Sequence, residues 1–324
     1  MFISVAAYAA FSILVIYLTR DNPTAVIGHA AGLIRDLVKD TVWMLLPYLS
    51  LAVLVIALKR QRDWAIRLGW AFVALALCSV FSLCFVMVKS SLPHIVPFWA
   101  DPLLAELDRI LHFGTDPWVF AHAMQGMIPN AFVFYFYQYI WLLPAIFLPA
   151  LLILFDTDQS RIRRFVILWL FADIAIGNLL ALAFMSGGPI FYGLIEGTDR
   201  FAPFISSARD MGLMDDWLAE FAGLLWSSHA QNALLPPGIS AFPSVHLAMA
   251  CLFALYAWER APQTWPVAGL LLLMYQFFSV YIGWHYAIDG YVSILLMTGL
   301  WAILRRYSAN QRKLSVSAPS NVAS

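Results

Sequence analysis

Charge is what this sequence has least of. Only 12% of its 324 residues are charged and 62% are hydrophobic, whereas soluble domains carry about 25% charged residues. A soluble fold of this size has no way to hide so much apolar surface, whereas lipid accepts it. The formal net charge is zero, and no long run of one sign is present, so neither nucleic acid nor any other polyanion is expected as a partner. Cysteine is scarce too. Cys78, Cys84 and Cys251 all lie in apolar stretches and read as small hydrophobes, which say nothing about redox compartment. No internal repeat and no soluble domain can be found.

What is present is a series of long apolar runs. A membrane-crossing helix needs roughly 20 such residues, and eight segments qualify: 1–19, 41–58, 69–88, 131–155, 165–186, 243–258, 265–283 and 286–304. The first lacks a basic start and a small-residue cleavage site, so it reads as a retained anchor rather than a leader. The expected fold is therefore all-α, a polytopic membrane helix bundle. Residues 1–64 form a two-span preface, 65–304 a six-span catalytic core and 305–324 a tail, rich in Ser and Ala and disordered from Gln311 onward. Cations set the orientation. Lys59, Arg60, Arg62, Arg67, Arg161, Arg163, Arg164, Arg260, Arg305, Arg306, Arg312 and Lys313 fall in one set of short connections and the tail. The opposite set, in longer segments, holds Arg20, Arg35, Lys39, Lys89, Arg109, Arg200 and Arg209. The positive-inside rule then puts both termini in the cytoplasm, and the connections 89–130 and 187–242 outside or in a lumen.

Two stretches of those outer connections show helical spacing of apolar residues. One is Leu103, Leu104, Leu107, Ile110 and Leu111, interleaved with Glu106, Asp108 and Arg109; the other is Leu213, Trp217, Leu218, Phe221, Leu224 and Leu225. They suit short interfacial helices, either a vestibule for a lipid or plain packing over the helix ends.

Polar residues are costly at membrane depth, and those that persist there call for a reason. Two clusters do. Pro243-Ser244-Val245-His246 leads into the sixth span, and Gly283-Trp284-His285-Tyr286-Ala287-Ile288-Asp289 into the eighth. Both spans run in the same direction, so His246 and His285 reach similar depth on one face. The i,i+4 spacing of His285 and Asp289 puts them on one helical face. There the carboxylate can hold one ring nitrogen of His285 and aim the other at a substrate.

Pro-Ser-x-His at 243–246 followed by His-x-x-x-Asp at 285–289 resembles the type 2 phosphatidic acid phosphatase superfamily. Phe-Pro-Ser-Val-His, Gly-Trp-His-Tyr-Ala-Ile-Asp and Gly187-Gly188-Pro189-Ile190-Phe191-Tyr192 are closer to its inositolphosphotransferase branch, that of inositol phosphorylceramide synthase. The resemblance implies that His285 takes the phosphoryl group as a phosphohistidine and that Asp289 orients it. His246 would protonate the departing alcohol and then activate water or an acceptor alcohol. No metal or cofactor is implied. The partners implied are the bilayer and a phospholipid or prenyl phosphate, with a lipid alcohol as acceptor in the transferase case.

The chain also departs from that pattern. The superfamily's Lys-x6-Arg-Pro element is missing; Lys89 begins a Lys-x6-Val-Pro string instead. The Arg before the nucleophilic histidine is missing as well, since Val280 follows Ser279. Other donors must then stabilise the phosphoryl charge, and the candidates are Ser244, the Gly187 and Gly188 amides, Tyr192, Arg200 and Arg209. Three further readings stay open. Ser244, His285 and Asp289 have the composition of a hydrolase triad. Two histidines and an acid suit a metal. A transporter with an intramembrane polar pathway would show inverted repeats.

Overall fold

The computed structural model of the chain describes residues 1–32, 35, 62–215, 217–231 and 238–317. It is 81% helical and has no strand, the all-α membrane bundle that the apolar runs lead one to expect. Seven of the eight expected spans coincide with helices. They are α1 (Phe2–Thr19), α2 (Arg62–Ser91), the run of α5 (Asn130–Tyr135) and α6 (Trp141–Phe155), the run of α7 (Gln159–Phe171) and α8 (Ala181–Ala183), then α12 (Val245–Arg260), α13 (Trp265–Tyr281) and α14 (Ala287–Ser317). The eighth, 41–58, lies outside the described residues. Among the described residues, five stretches are long and apolar enough to cross a bilayer: Phe2–Thr19, Asp63–His94, Gln159–Ala183, Pro262–Tyr281 and Ala287–Asn310.

The two composite helices each contain a π segment, Phe136–Ile140 between α5 and α6, and Ala172–Leu180 between α7 and α8. Such bulges widen the helix locally and re-aim side chains. The first carries Tyr137 and the second Asp173 and Asn178, all polar residues at membrane depth. The last helix outruns its expected span. The tail expected from Gln311 is helical as far as Ser317, because extending a formed helix costs far less than starting one.

Between the spans lie short helices α3 (Asp101–Leu111), α4 (Pro117–His122), α9 (Tyr192–Glu196), α10 (Ala202–Asp210) and α11 (Trp217–Ala230). Both amphipathic stretches read from the sequence are thus helical. In α3 both faces are mixed: Leu104 and Ala105 are buried in the core, and Glu106 and Arg109 lie outside as an ion pair. Leu103, Leu107, Ile110 and Leu111 are exposed, whereas Asp101 and Asp108 are buried. An outer face of leucines beside an exposed Glu106–Arg109 pair suits the membrane interface, and the buried carboxylates must find donors inside.

Two apolar cores meet along α12. One joins α1, α2 and α7 to α12 through Phe81, Trp169, Ile176, Ala248 and Leu252. The other joins α3, α10, α11 and α13 through Leu104, Phe204, Leu218, Leu247, Phe278 and Tyr281. His246 immediately precedes Leu247 and Ala248, so it enters at the seam between the two.

Candidate active site

The site is assembled at the N-terminal ends of α12 and α14. The hairpin through α13 brings these ends together, and the Ser244 amide donates to the Asp289 carbonyl at 3.3 Å. Ser244 is the N-cap of α12, its hydroxyl oxygen accepting from the Leu247 amide at 3.3 Å. Serine is favoured there because it satisfies one of the free amides of the first turn.

The same hydroxyl lies 3.1 Å from His285 Nε2, and His285 Nδ1 lies 3.2 Å from Asp289 Oδ2. Ser244, His285 and Asp289 therefore form one hydrogen-bonded chain. All three are buried, with Asp289 and Ser244 fully so. Asp289 Oδ2 also accepts the Tyr286 amide at 3.1 Å, which fixes the carboxylate against rotation. The His246 ring is 6.1 Å from that of His285, centroid to centroid, and on its other side stacks on Tyr137 at 5.1 Å. One face of the bundle thus holds both histidines, with Nε2 of His285 toward Ser244 and Nδ1 held by acid.

A frame of backbone hydrogen bonds surrounds this chain. The loop at 186–190 is its hub. Ser186 accepts the amides of Ala241, at its carbonyl, and Phe242, at its hydroxyl, at 2.8 and 3.0 Å. Ile190 donates to the Gly283 carbonyl at 3.0 Å. Gly188 is required here on two counts. Its φ is +85°, and a Cβ would lie 2.6 Å from the Trp284 carbonyl oxygen, the residue before His285.

Sequence reasoning missed the two acids of α3 that complete the frame. Asp101 accepts the amides of Gly187 and Gly188 at 2.8 and 2.9 Å and the Tyr286 hydroxyl at 2.8 Å. Asp108, two turns further on and on the same face, accepts the amides of Ala287 and Ile288 at 2.9 Å each. It therefore caps the helix that carries Asp289, where a negative charge is also favoured by the helix dipole. Burial pushes both α3 carboxyls above their ordinary range, and the amides that they accept oppose that shift.

These contacts engage part of the expected donor set. The Gly187 and Gly188 amides face Asp101 and are not free for a phosphate. Arg200 donates to the Ala105 carbonyl at 3.0 Å and lies 3.5 Å from Asp116, so its charge is spent on α3 and the start of α4. Tyr192 packs its ring on Phe201, and Arg209 is exposed on α10. Of the donors expected from sequence, Ser244 alone touches His285. The structure points to another cation. Lys89, at the end of α2, is within electrostatic reach of His246, His285 and Asp173. Gly238 packs on its backbone, where a Cβ would come within 2.5 Å of the Lys89 carbonyl oxygen. His122 and His112 are engaged elsewhere. His122 bonds Ser207 and the Tyr281 carbonyl, and His112 bonds the Asp108 carbonyl and Tyr291.

Several buried polar atoms around the two histidines have no partner among the described residues: Asp289 Oδ1, Tyr137 Oη, Ser240 Oγ and Trp284 Nε1. Buried polar atoms are normally satisfied, so a cluster of unsatisfied ones marks a place built for a polar ligand. No metal-binding group of three His, Cys, Asp or Glu is found among the described residues.

An all-α membrane bundle with paired histidines, a serine and an acid at one end defines a class of membrane enzymes of phosphatase type. The chain belongs to the PAP2 superfamily, whose family model matches residues 102–303, a span that includes Ser244, His246, His285 and Asp289 and leaves α1 and α2 outside. No curated protein and no solved structure matches the chain.

Proposed function

We propose that the protein is a lipid phosphotransferase or phosphatase that works through a phosphohistidine on His285, at the outer or lumenal face. The observation that carries this reading is the chain Ser244–His285–Asp289 with His246 alongside, inside the segment that matches the family. Asp289 holds the proton on Nδ1 and leaves the Nε2 lone pair to attack phosphorus. As the N–P bond forms, the P–O bond to the leaving alcohol breaks, and that oxygen takes a proton from His246. In the second half, water or a lipid alcohol attacks the phosphorus and gives its proton to His246 while the N–P bond breaks. A histidine suits both transfers because its ordinary pKa lies near neutrality.

Ser244 turns its O–H from Nε2 to a phosphoryl oxygen when substrate arrives. Lys89 supplies the positive charge that the absent Arg residues supply elsewhere, since phosphoryl transfer relies mainly on positioning and charge stabilisation. The strings around Gly187, His246 and His285 favour the inositolphosphotransferase-like branch, in which the acceptor is a lipid alcohol and the phosphorus on Nε2 keeps its head-group ester.

The 3.1 Å contact between Ser244 and His285 Nε2 favours one second reading, a serine nucleophile with His285 as its base. Against it, the Ser244 oxygen is already engaged in capping α12. The test compares purified wild type and His285→Ala on defined phospholipids and prenyl phosphates, with and without ceramide or diacylglycerol, following products by mass spectrometry. The proposal expects turnover by wild type alone, indifferent to chelator. Equal turnover by His285→Ala rejects it.

A further inference from the structure

His246 must give a proton and then take one, from the same place, in every turnover. A histidine side chain does not hold such a place by itself. Its last torsion joins an sp³ to an sp² carbon, a broad rotation rather than a set of sharp wells. Proton transfer needs the ring nitrogen within about 3 Å of the leaving oxygen, so something must fix the plane of the ring. The contact with His285 does not. The two rings meet at 63° with 6.1 Å between centroids, an edge contact that leaves the plane of His246 free to turn.

The face contact comes from Tyr137. Its buried ring lies 5.1 Å from that of His246, with 28° between the planes. Tyr137 stands on the π segment Phe136–Ile140. Backbone bonds there run from i to i+5, so side chains leave the axis in directions that the flanking α-helix does not offer. Helix α13 pins this segment. The Tyr275 hydroxyl donates to the Phe136 carbonyl at 3.2 Å, and the Tyr275 ring packs on Phe136 at 4.8 Å and on Tyr137 at 6.2 Å. The chemistry of the contact suits a group that changes charge. A carboxylate partner would favour the charged imidazole alone. An aromatic face stacks on the neutral ring and also attracts the protonated one, so it can orient both.

We infer that Tyr137 is a positioning residue for proton transfer, its ring face setting the plane of His246. The imidazole then meets the leaving oxygen in the first half-reaction and the incoming hydroxyl in the second. The inference rests on the proposed role of His246 as general acid and base. The contact is made by the ring, so phenylalanine serves in this role as well as tyrosine.

The experiment compares kcat/KM for two phosphoesters with the full chain in detergent, because kcat/KM reports the steps up to departure of the first product. One is dodecyl phosphate, whose alcohol needs a proton as it leaves. The other is 4-nitrophenyl phosphate, whose phenolate leaves without one. The corresponding methyl phosphodiesters form a second pair for an enzyme that prefers diesters. General acid catalysis is worth about 10²–10⁴-fold, so His246→Ala should lower the dodecyl-to-nitrophenyl ratio by at least about 10²-fold. Tyr137→Leu should lower it by about 10–100-fold, the cost of a misplaced catalytic group. Tyr137→Phe should keep the wild-type ratio. Partial unfolding removes both activities alike and does not move the ratio, so a merely structural role predicts no change. Should Tyr137→Leu fail to fold, Tyr137→Met, which fills a similar volume without a flat face, takes its place with the same expectation. An unchanged ratio in the Leu or Met variant, beside a lowered one in His246→Ala, would overturn this inference alone. So would a ratio that falls as far in Tyr137→Phe as in Tyr137→Leu. A wild-type ratio in His246→Ala would instead reject the role of His246 on which the inference rests.

Discussion

The two ends of the bundle handle charge in opposite ways. At the end where α6 meets α7, each buried acid is paired with a guanidinium. Arg161 grips Asp156 with two bonds of 2.6 Å. Arg164 grips Glu259 of α12 at 2.5 and 3.0 Å, and Trp301 of α14 adds its indole N–H to the same carboxylate. At the other end Asp101 and Asp108 are satisfied by backbone amides, Asp289 by a histidine and an amide, and Lys89 reaches no carboxylate within ion-pair distance among the described residues. The first end closes its charges upon themselves and needs nothing further. The second leaves polar atoms of Asp289, Tyr137, Ser240 and Trp284 unsatisfied. Ion pairing of the first kind ties helices together, whereas the second arrangement fixes a shape while holding hydrogen-bonding capacity in reserve for a ligand.

Mutations should separate the two ends, and the largest effect belongs to His285. His285→Ala should lower kcat by at least about 10³-fold, as loss of a covalent nucleophile does, without changing the thermal midpoint of the detergent-solubilised protein by more than a few degrees. Next comes the α3 frame. Asp101→Asn keeps the shape but turns an amide N–H toward backbone donors. It should cost about 10–100-fold in kcat by letting the Gly187 loop and Tyr286 shift, since misplacement of about 1 Å is worth about that much. Activity unchanged in Asp101→Asn would mean that α3 is packing only. At the opposite end, Glu259→Gln should destabilise by about 3 kcal/mol, because Arg164 is left buried without its partner. Turnover per folded molecule should be unchanged there, and loss of turnover without loss of stability would break the comparison.

The smallest effect is in pH. Burial alone would raise the Asp156 carboxyl, but Arg161, the Asp158 amide and Tyr256 outweigh it and pull it down to about 2. Its stabilising effect is present above pH 4 and is lost as pH falls toward 2. The Asp101 carboxyl is shifted the other way. The folded state then holds its proton more tightly than the unfolded chain does, so this group's contribution falls as pH rises from about 4 through its raised value. Thermal midpoints of Asp156→Asn and Asp101→Asn, each subtracted from wild type across pH 2–8, should slope in opposite directions. Parallel profiles would show that the two carboxyls do not titrate in opposite senses.

Much of this was legible in the sequence, for identifiable reasons. Spans show because lipid selects unbroken apolar runs, and seven of them are helices in the structure. His285 and Asp289 show because their contact is local, four residues apart on one turn. The α3 acids were hidden because their partners lie 86 to 185 residues away. Between leucines at helical spacing, Asp108 also looked like part of the wet face of an amphipathic helix. Lys89 was set aside because its string lacks the arginine, although in the folded chain its charge acts on both histidines. The Gly187 and Gly188 amides were among several candidate donors for a phosphate. They serve Asp101 instead, a pairing that only the folded chain can show.

The most direct test of the account is to trap the intermediate. His246→Ala, which lacks the base for the second half-reaction, would be mixed with a substrate that wild type turns over. Substrates that leave with a good alcohol group are preferred, because the first half-reaction then needs less help. The protein would be quenched at alkaline pH, digested and read by mass spectrometry. The account predicts an acid-labile phosphoryl or head-group-phosphoryl adduct on the peptide of His285, absent from His246→Ala/His285→Ala. An acid-stable adduct on Ser244 would contradict it and make that serine the nucleophile.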